Sequence, residues 1–211
     1  MQLSQKNRET VDACRFCWMC RHICPIGNAT GQERNTARAR ALSLSLVVRD
    51  GAEYTPDVID NVYECALCGG CTQDCITGWD PVPFTKEARL AAALDSKMPV
   101  YEEKLMDNIE ATGNIYGAKK LDKALADAIQ KASKKSDTLF FLGEDARYKV
   151  PKQAVKAIEV LQKAGESVTI LEDEPASGYS LDFLLGPAEE TRQIMEKTAK
   201  QLNYKTIVCY D

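Results

Sequence analysis

At 211 residues the chain can bury one large core or two small ones, which excludes a single repeat or a peptide. Residues 1–95 carry 10 Lys and Arg against 12 Asp and Glu, and the remainder 17 against 19, so neither part offers the basic footprint that binds nucleic acid or an anionic membrane. No apolar run approaches the roughly 18 residues of a spanning helix, and Met1-Gln2-Leu3-Ser4-Gln5-Lys6 lacks a signal peptide's apolar stretch. A soluble, cytoplasmic chain with no transmembrane segment and no nucleic-acid partner is expected.

The first half reads as helical. Thr30 and Glu33 fit a capping box that opens a helix to Arg49, with Gly51 as its stop. Thr55-Pro56 starts a short helix carrying Val58, Ile59, Val62 and Tyr63 toward Cys65. Asp80-Pro81-Val82-Pro83 reads as a stiff connector, and an alanine-rich helix follows from Phe84 to Leu94. From Pro99 to about Ser136 two apolar stripes, Leu105, Met106 and Ile109, then Leu121, Leu125, Ala128 and Ile129, flank a turn at Gly113-Asn114-Ile115-Tyr116-Gly117. The period then changes. Thr138 to Leu142, Val168 to Leu171 and Thr206 to Cys209 read as strands. Between them lie a helix from Pro151 to Gly165, carrying Val155, Ile158 and Leu161, and one from Gly186-Pro187 with Ile194, Met195, Ala199 and Leu202 on its buried side. This predicts a right-handed parallel β-α-β-α-β unit, and boundaries at 1–95, 96–136 and 137–211.

The cysteines carry the chemistry. Eight of nine fall in two groups, Cys14, Cys17, Cys20, Cys24 and Cys65, Cys68, Cys71, Cys75, while Cys209 stands alone. An odd total and three thiols within seven residues fit a disulfide framework poorly. Each group has the spacing C-x2-C-x2-C-x3-C, the bacterial iron-sulfur pattern in which the fourth cysteine ligates the other cluster. Pro follows Cys24 but not Cys75. The expected ligand sets are Cys14, Cys17, Cys20 and Cys75 for one [4Fe-4S] cluster, and Cys65, Cys68, Cys71 and Cys24 for a second. A pair of four-cysteine zinc sites is the competing reading. Zinc sites generally separate two C-x2-C pairs by a longer loop, so the duplicated third cysteine favours iron-sulfur.

Phe16, Trp18, Met19, Ile23 and Ile26 interleave the first group, and Ala66, Leu67, Ile76 and Trp79 the second, which predicts apolar packaging that excludes solvent. Gly69-Gly70 allows close backbone approach. His22, between two ligands, is expected to be a bystander or hydrogen-bonding partner. Arg15, Arg21 and Arg89 could offset cluster charge or be solvated.

Two such groups separated by 40 residues, with Cys-Pro-Ile-Gly after the first and Cys-Ile-Thr-Gly-Trp-Asp-Pro-Val-Pro after the second, resemble the alpha-helical ferredoxin domain. That domain occurs in the iron-sulfur subunits of succinate dehydrogenase, of anaerobic glycerol-3-phosphate dehydrogenase and of glycolate and lactate oxidases, and in heterodisulfide reductases. The last three continue into cysteine-rich CCG domains, and the segment from Leu139 to Cys209 is similar to the first half of one. The resemblance implies an α+β two-domain chain: an all-α dicluster ferredoxin, then a parallel-sheet CCG-like domain, partial because a family domain continues further. The ligands of a further cluster are missing, since Gly143-Glu144 and Ala176-Ser177-Gly178 stand where the family has cysteines and Cys209 alone survives.

The implied function is a non-catalytic electron-transfer subunit of an oxidoreductase, with no catalytic residues of its own. Its two [4Fe-4S] clusters would relay electrons from a flavin-containing dehydrogenase or oxidase subunit of the FAD-linked 2-hydroxyacid type, in anaerobic metabolism. The acceptor would be soluble or membrane-associated: a quinone, a ferredoxin or an electron-transferring flavoprotein. The alternatives are a heterodisulfide-reductase-like catalytic subunit, which the absent cysteines oppose, and a redox-sensing iron-sulfur regulator.

Overall fold

The computed structural model describes residues 1–210. Two compact units divide them: Met1–Glu103 with Leu181–Thr191, and Lys104–Ser180 with the chain from Arg192 onward. The first contains α1 (Gln5–Cys14), α2 (Pro25–Thr30), α3 (Ala37–Val48), α4 (Pro56–Tyr63), a single turn α5 (Gly70–Gln73) and α6 (Pro81–Leu94). Helices α1, α3, α4 and α6 pack around Val11, Ala41, Leu44, Ile59, Val62, Phe84 and Ala88, all buried. On α3 the buried positions Ala37, Arg40, Ala41 and Leu44 recur at helical spacing, so one face meets the core and an arginine lies on that face.

Two helix starts differ from expectation. Thr30 ends α2 instead of capping the next helix, because Gly31 takes a left-handed φ of 67° that no helix can pass through. After a 3-10 turn at Glu33–Asn35, the true N-cap of α3 is Thr36, whose hydroxyl accepts from the Ala39 amide at 3.4 Å. Asp80-Pro81 is no connector either: α6 begins at Pro81, with the Asp80 carboxylate accepting from the Val82 amide at 3.1 Å and Pro at the first position, where its missing N–H costs nothing.

Next come α7 (Val100–Thr112) and, in the second unit, α8 (Lys123–Ala132), strand β1 (Thr138–Phe141) and α9 (Pro151–Lys163). They are followed by α10 (Tyr179–Leu185), which the sequence reading missed, then α11 (Glu189–Gln201) and β2 (Thr206–Cys209). The turn at 113–117 falls between α7 and α8 as expected. Leu125, Ile129, Phe140, Leu142, Ala154, Ile158, Val168 and Ile170 form the second core.

The expected three-stranded unit is reduced. β1 and β2 pair in parallel, Thr138 opposite Thr206 through Phe141 opposite Cys209, whereas the segment at 168–171 makes an isolated bridge, Leu139 to Thr169. Competing partners explain this. The Ser133 hydroxyl donates to the Ile170 carbonyl and accepts from its amide. Arg147 takes the carbonyls of Leu171 and Glu172, and Leu142 and Gly143 give their amides to the Glu174 carboxylate at 2.8 Å each. Ladder groups past Phe141 are thus satisfied by side chains. The buried side of α11 is also corrected: Thr191 and Thr198 are buried, while Met195 and Ala199 are exposed.

The α3 face yields a direct test. Leu44 is fully buried and Leu46 about half exposed, two residues apart on one helix. Leu44→Ala should destabilise the unit by about 2–5 kcal/mol in chemical denaturation, and Leu46→Ala by less than about 0.5 kcal/mol. Equal effects would contradict the orientation of α3.

Candidate metal centre

The cysteine groups sit where helices of the first unit begin and end. Cys14 is the last residue of α1, and Cys65 follows α4 by one residue. Each group then turns back toward a helix start, α3 or α6.

Two recesses result. One is lined by Cys14, Cys17, Cys20, Cys71 and Cys75; the other by Cys24, Cys65, Cys68 and Cys71. Each recess takes thiols from both groups: Cys24 of the first joins Cys65, Cys68 and Cys71, while Cys71 and Cys75 of the second join Cys14, Cys17 and Cys20, so Cys71 lines both. Ala37 and Pro81 line both, so the N-termini of α3 and α6, the positive ends of their dipoles, border the two thiol sets.

Local structure explains why the fourth cysteine leaves its own group. Pro25 starts α2, making Cys24 the N-cap, and its sulfur accepts from the Gly27 amide at 3.4 Å and lies 3.1 Å from the Asn35 carbonyl. Cys75 has no proline after it. There Gly78, at a left-handed φ of 73°, reverses the chain so that the Trp79 amide reaches the Cys75 sulfur at 3.2 Å, with the Thr77 hydroxyl at 3.3 Å. Both fourth thiols thus receive backbone donors of the kind that stabilise a sulfur ligand. Between Cys65 and Cys68 the backbone is strained at Leu67, whose φ of 50° is unfavourable for a bulky residue, and just past Cys68 Gly69 takes a left-handed φ of 73° that glycine accepts freely.

The donor set fits a polynuclear cluster. All nine cysteines are free thiols. A four-cysteine zinc site needs every sulfur about 2.3 Å from one point. Among the described residues no three His, Cys, Asp or Glu converge to hold a single ion. Four thiols around a recess are the arrangement that ligates a cube from outside.

Crowding governs the thiols. Burial, with the neighbouring Cys75, Cys20, Cys71 and Cys17, pushes Cys14 up to about 12. Burial, with Cys20, Cys65 and Cys68, does the same to Cys71, also about 12. Cys20 is raised, again chiefly by burial. Cys75 runs the other way: its slight burial is outweighed by the Thr77 hydroxyl and the amides of Thr77, Trp79 and Gly78, which lower it.

The apolar packaging expected around the cysteines is present in part: Met19, Ile76 and Trp79 line the recess of Cys14, Cys17, Cys20 and Cys75, and Ile26, Ala66 and Leu67 line the other. Phe16 is 71 % exposed, Ile76 77 %, Met19 54 % and Trp18 49 %, forming an apolar surface beside the recess of Cys14, Cys17, Cys20 and Cys75. The rest of the wall comes from Ala37, Arg38 and Arg40 of α3 and Pro81, Val82 and Thr85 of α6. Gly69, as expected, lines a recess with its backbone. His22 points to solvent, 3.6 Å from the Asp74 carboxylate, and lines neither recess, in keeping with a bystander.

The arginines divide. Arg15 lies over the Phe16 ring and 3.7 Å from Asp12, and Arg21 lies over Trp18. Arg89 is fully buried and donates to the carbonyls of Val62, Tyr63, Cys65 and Phe183, packing on the Tyr63 and Phe183 rings. Burial holds its guanidinium below its usual value, against the opposing pull of Cys65 and Tyr63. Arg38 and Arg40, which the sequence reading passed over, each line one recess. The available signal was Arg40 falling on the stripe of Ala37, Ala41 and Leu44.

In the second unit, Gly143, Glu144, Ala176 and Ser177 share a recess with Glu174 and Arg147. It contains no cysteine. Cys209 lies on β2 as an exposed free thiol.

Residues 10–79 match the family model of the 4Fe-4S dicluster domain, and all eight grouped cysteines fall within that span. The match supports an iron-sulfur protein. Comparison with curated proteins and with solved structures returns no match. Among the described residues no helix is long and apolar enough to cross a membrane.

The raised thiols set the pH dependence of assembly. Cys14 and Cys71, raised by burial, would have to release their protons to serve as ligands, so iron loading on them would be coupled to proton release and strengthen as pH rises. Anaerobic reconstitution at about pH 8.5 should outpace that at about pH 6.5 and release protons into weak buffer. Loading that is indifferent to pH would contradict the protonated state of these thiols.

Proposed function

We propose that the chain is an electron-transfer subunit holding two [4Fe-4S] clusters, one on Cys14, Cys17, Cys20 and Cys75, the other on Cys24, Cys65, Cys68 and Cys71. The observation that supports this is the pair of recesses, in which Cys24 joins Cys65, Cys68 and Cys71, and Cys75 joins Cys14, Cys17 and Cys20, with Cys71 lining both. A cluster of this type supplies reversible one-electron storage. The chain's own residues supply position and environment. The Gly27 and Trp79 amides orient and stabilise the two exchanged sulfurs, α3 and α6 bring positive helix ends to the anionic sets, and Arg89 anchors the carbonyl of Cys65. No bond-making side chain is needed for this role.

The partner we propose is a flavin-bearing dehydrogenase or oxidase subunit, a reading that rests on the resemblance to the alpha-helical ferredoxin family. The exposed surface of Phe16, Trp18, Met19 and Ile76 supports protein contact next to a redox centre, since clustered apolar exposure of this kind marks interaction sites. A cytoplasmic location and an acceptor such as a quinone or a ferredoxin belong to the same proposal. Cys209 has no part in it.

Anaerobically purified protein should contain about eight iron and about eight acid-labile sulfide per chain; stoichiometric zinc without sulfide would refute the proposal. Cys24→Ala should damage the cluster of Cys65, Cys68 and Cys71 and spare that of Cys14, Cys17 and Cys20, as read by EPR of the reduced protein. Loss of the sequence-adjacent cluster instead would show that the ligands do not cross. Cys209→Ser should leave iron content and the EPR spectrum unchanged.

A further inference from the structure

The two recesses are alike in thiols, helix ends and backbone donors, yet they differ in charge. Arg40, 2 % exposed, lines the recess of Cys24, Cys65, Cys68 and Cys71; its Nε donates to the Asn61 carbonyl at 2.8 Å, and its Nη2 is buried without a partner. Arg89 is fully buried behind the same recess, with its bonds to backbone carbonyls, including that of Cys65. Carbonyls are neutral, so these bonds leave both guanidinium charges in place. The nearby carboxylates are engaged elsewhere or stand off: Glu64 is bound by Arg34, Asn35 and Asn61, and Glu102 acts on Arg89 across space.

The other recess is lined by Arg38, whose Nε is also buried without a partner. Hydrogen-bonding capacity therefore does not distinguish the two. Charge does, because Arg38 forms an ion pair with Glu33 at 2.6 Å and lies over the Trp18 ring.

We propose that Arg40 and Arg89 make the recess of Cys24, Cys65, Cys68 and Cys71 the site of higher reduction potential, so that the electron of the singly reduced protein resides there. The inference rests on the dicluster reading. Net charge and hydrogen bonds to sulfur are main determinants of a cluster's potential. One-electron reduction adds one negative charge to the site that accepts it, with no bond made or broken, and two buried cations bonded to neutral carbonyls stabilise that charge more than a cation already ion-paired with a carboxylate. Arg40 acts as a positioning and tuning residue on the wall of this recess.

The test is an EPR-monitored potentiometric titration of the anaerobically purified full chain with dithionite and mediators. Two waves are expected. In Cys24→Ser the higher-potential wave should be altered or lost, and in Cys75→Ser the lower. Arg40→Met should move the higher wave to more negative potential by at least about tenfold in its equilibrium constant, equivalent to about 59 mV for one electron, and leave the lower wave in place. Arg40→Lys, which keeps the charge, should retain most of the potential. The inference is overturned if Cys24→Ser alters the lower wave, or if Arg40→Met loads normally and moves neither wave or both equally. If Arg40→Met does not load, the assignment from the two serine variants still decides. Absence of acid-labile sulfide in the unaltered protein would instead refute the dicluster reading itself.

Discussion

A single buried guanidinium holds the second cysteine group in place. Helix α4 is only eight residues long and ends inside the protein, so its last carbonyls lack intrahelical partners, and Val62 is reached by a following amide, that of Cys65, at 3.4 Å. Arg89, from the middle of α6, answers this by donating to Val62, Tyr63 and Cys65 at once, a cation at the negative end of a helix dipole. The same side chain reaches Phe183, and the Tyr63 hydroxyl donates to Leu184, so a segment distant in sequence seals the helix end. Removing the guanidinium would strand several buried carbonyls where the chain turns into Cys65.

From that anchor the geometry follows. The first group leaves the end of α1 and the second the end of α4, and both fold against the starts of α3 and α6. Because Ala37 and Pro81 touch both recesses, the two thiol sets share one wall. In the proposed ligand sets, the exchange of the fourth cysteine would tie the segment after α1 to the segment after α4.

That thiols of the two groups come together was legible in their spacing, and the structure places members of both groups in each recess. Three cysteines at x2 intervals can wrap one face of a cube, and the x3 gap followed by Pro25 marks the one that turns away. Helix α4 was legible from Pro56 and the run Val58, Ile59, Val62, Tyr63. The start of α3 was not, since Thr30 and Thr36 both offer a capping hydroxyl near Glu33, and only the left-handed Gly31 decides between them. The middle strand failed for a similar reason: its apolar residues match a strand pattern, but Ser133, Arg147 and Glu174 bind the backbone that a ladder would need. Periodicity detects burial and cannot see side chains that substitute for a neighbouring strand. The same blindness hid Phe16, Trp18 and Ile76, apolar by type yet facing outward.

The central claim, that each cluster takes three sulfurs from one group and the fourth from the other, is tested most directly by an anaerobic crystal structure with anomalous diffraction at the iron edge. The account predicts two iron centres, one ringed by Cys14, Cys17, Cys20 and Cys75 and the other by Cys24, Cys65, Cys68 and Cys71. Two centres each ringed by four consecutive cysteines, or scattering at the zinc edge alone, would contradict it.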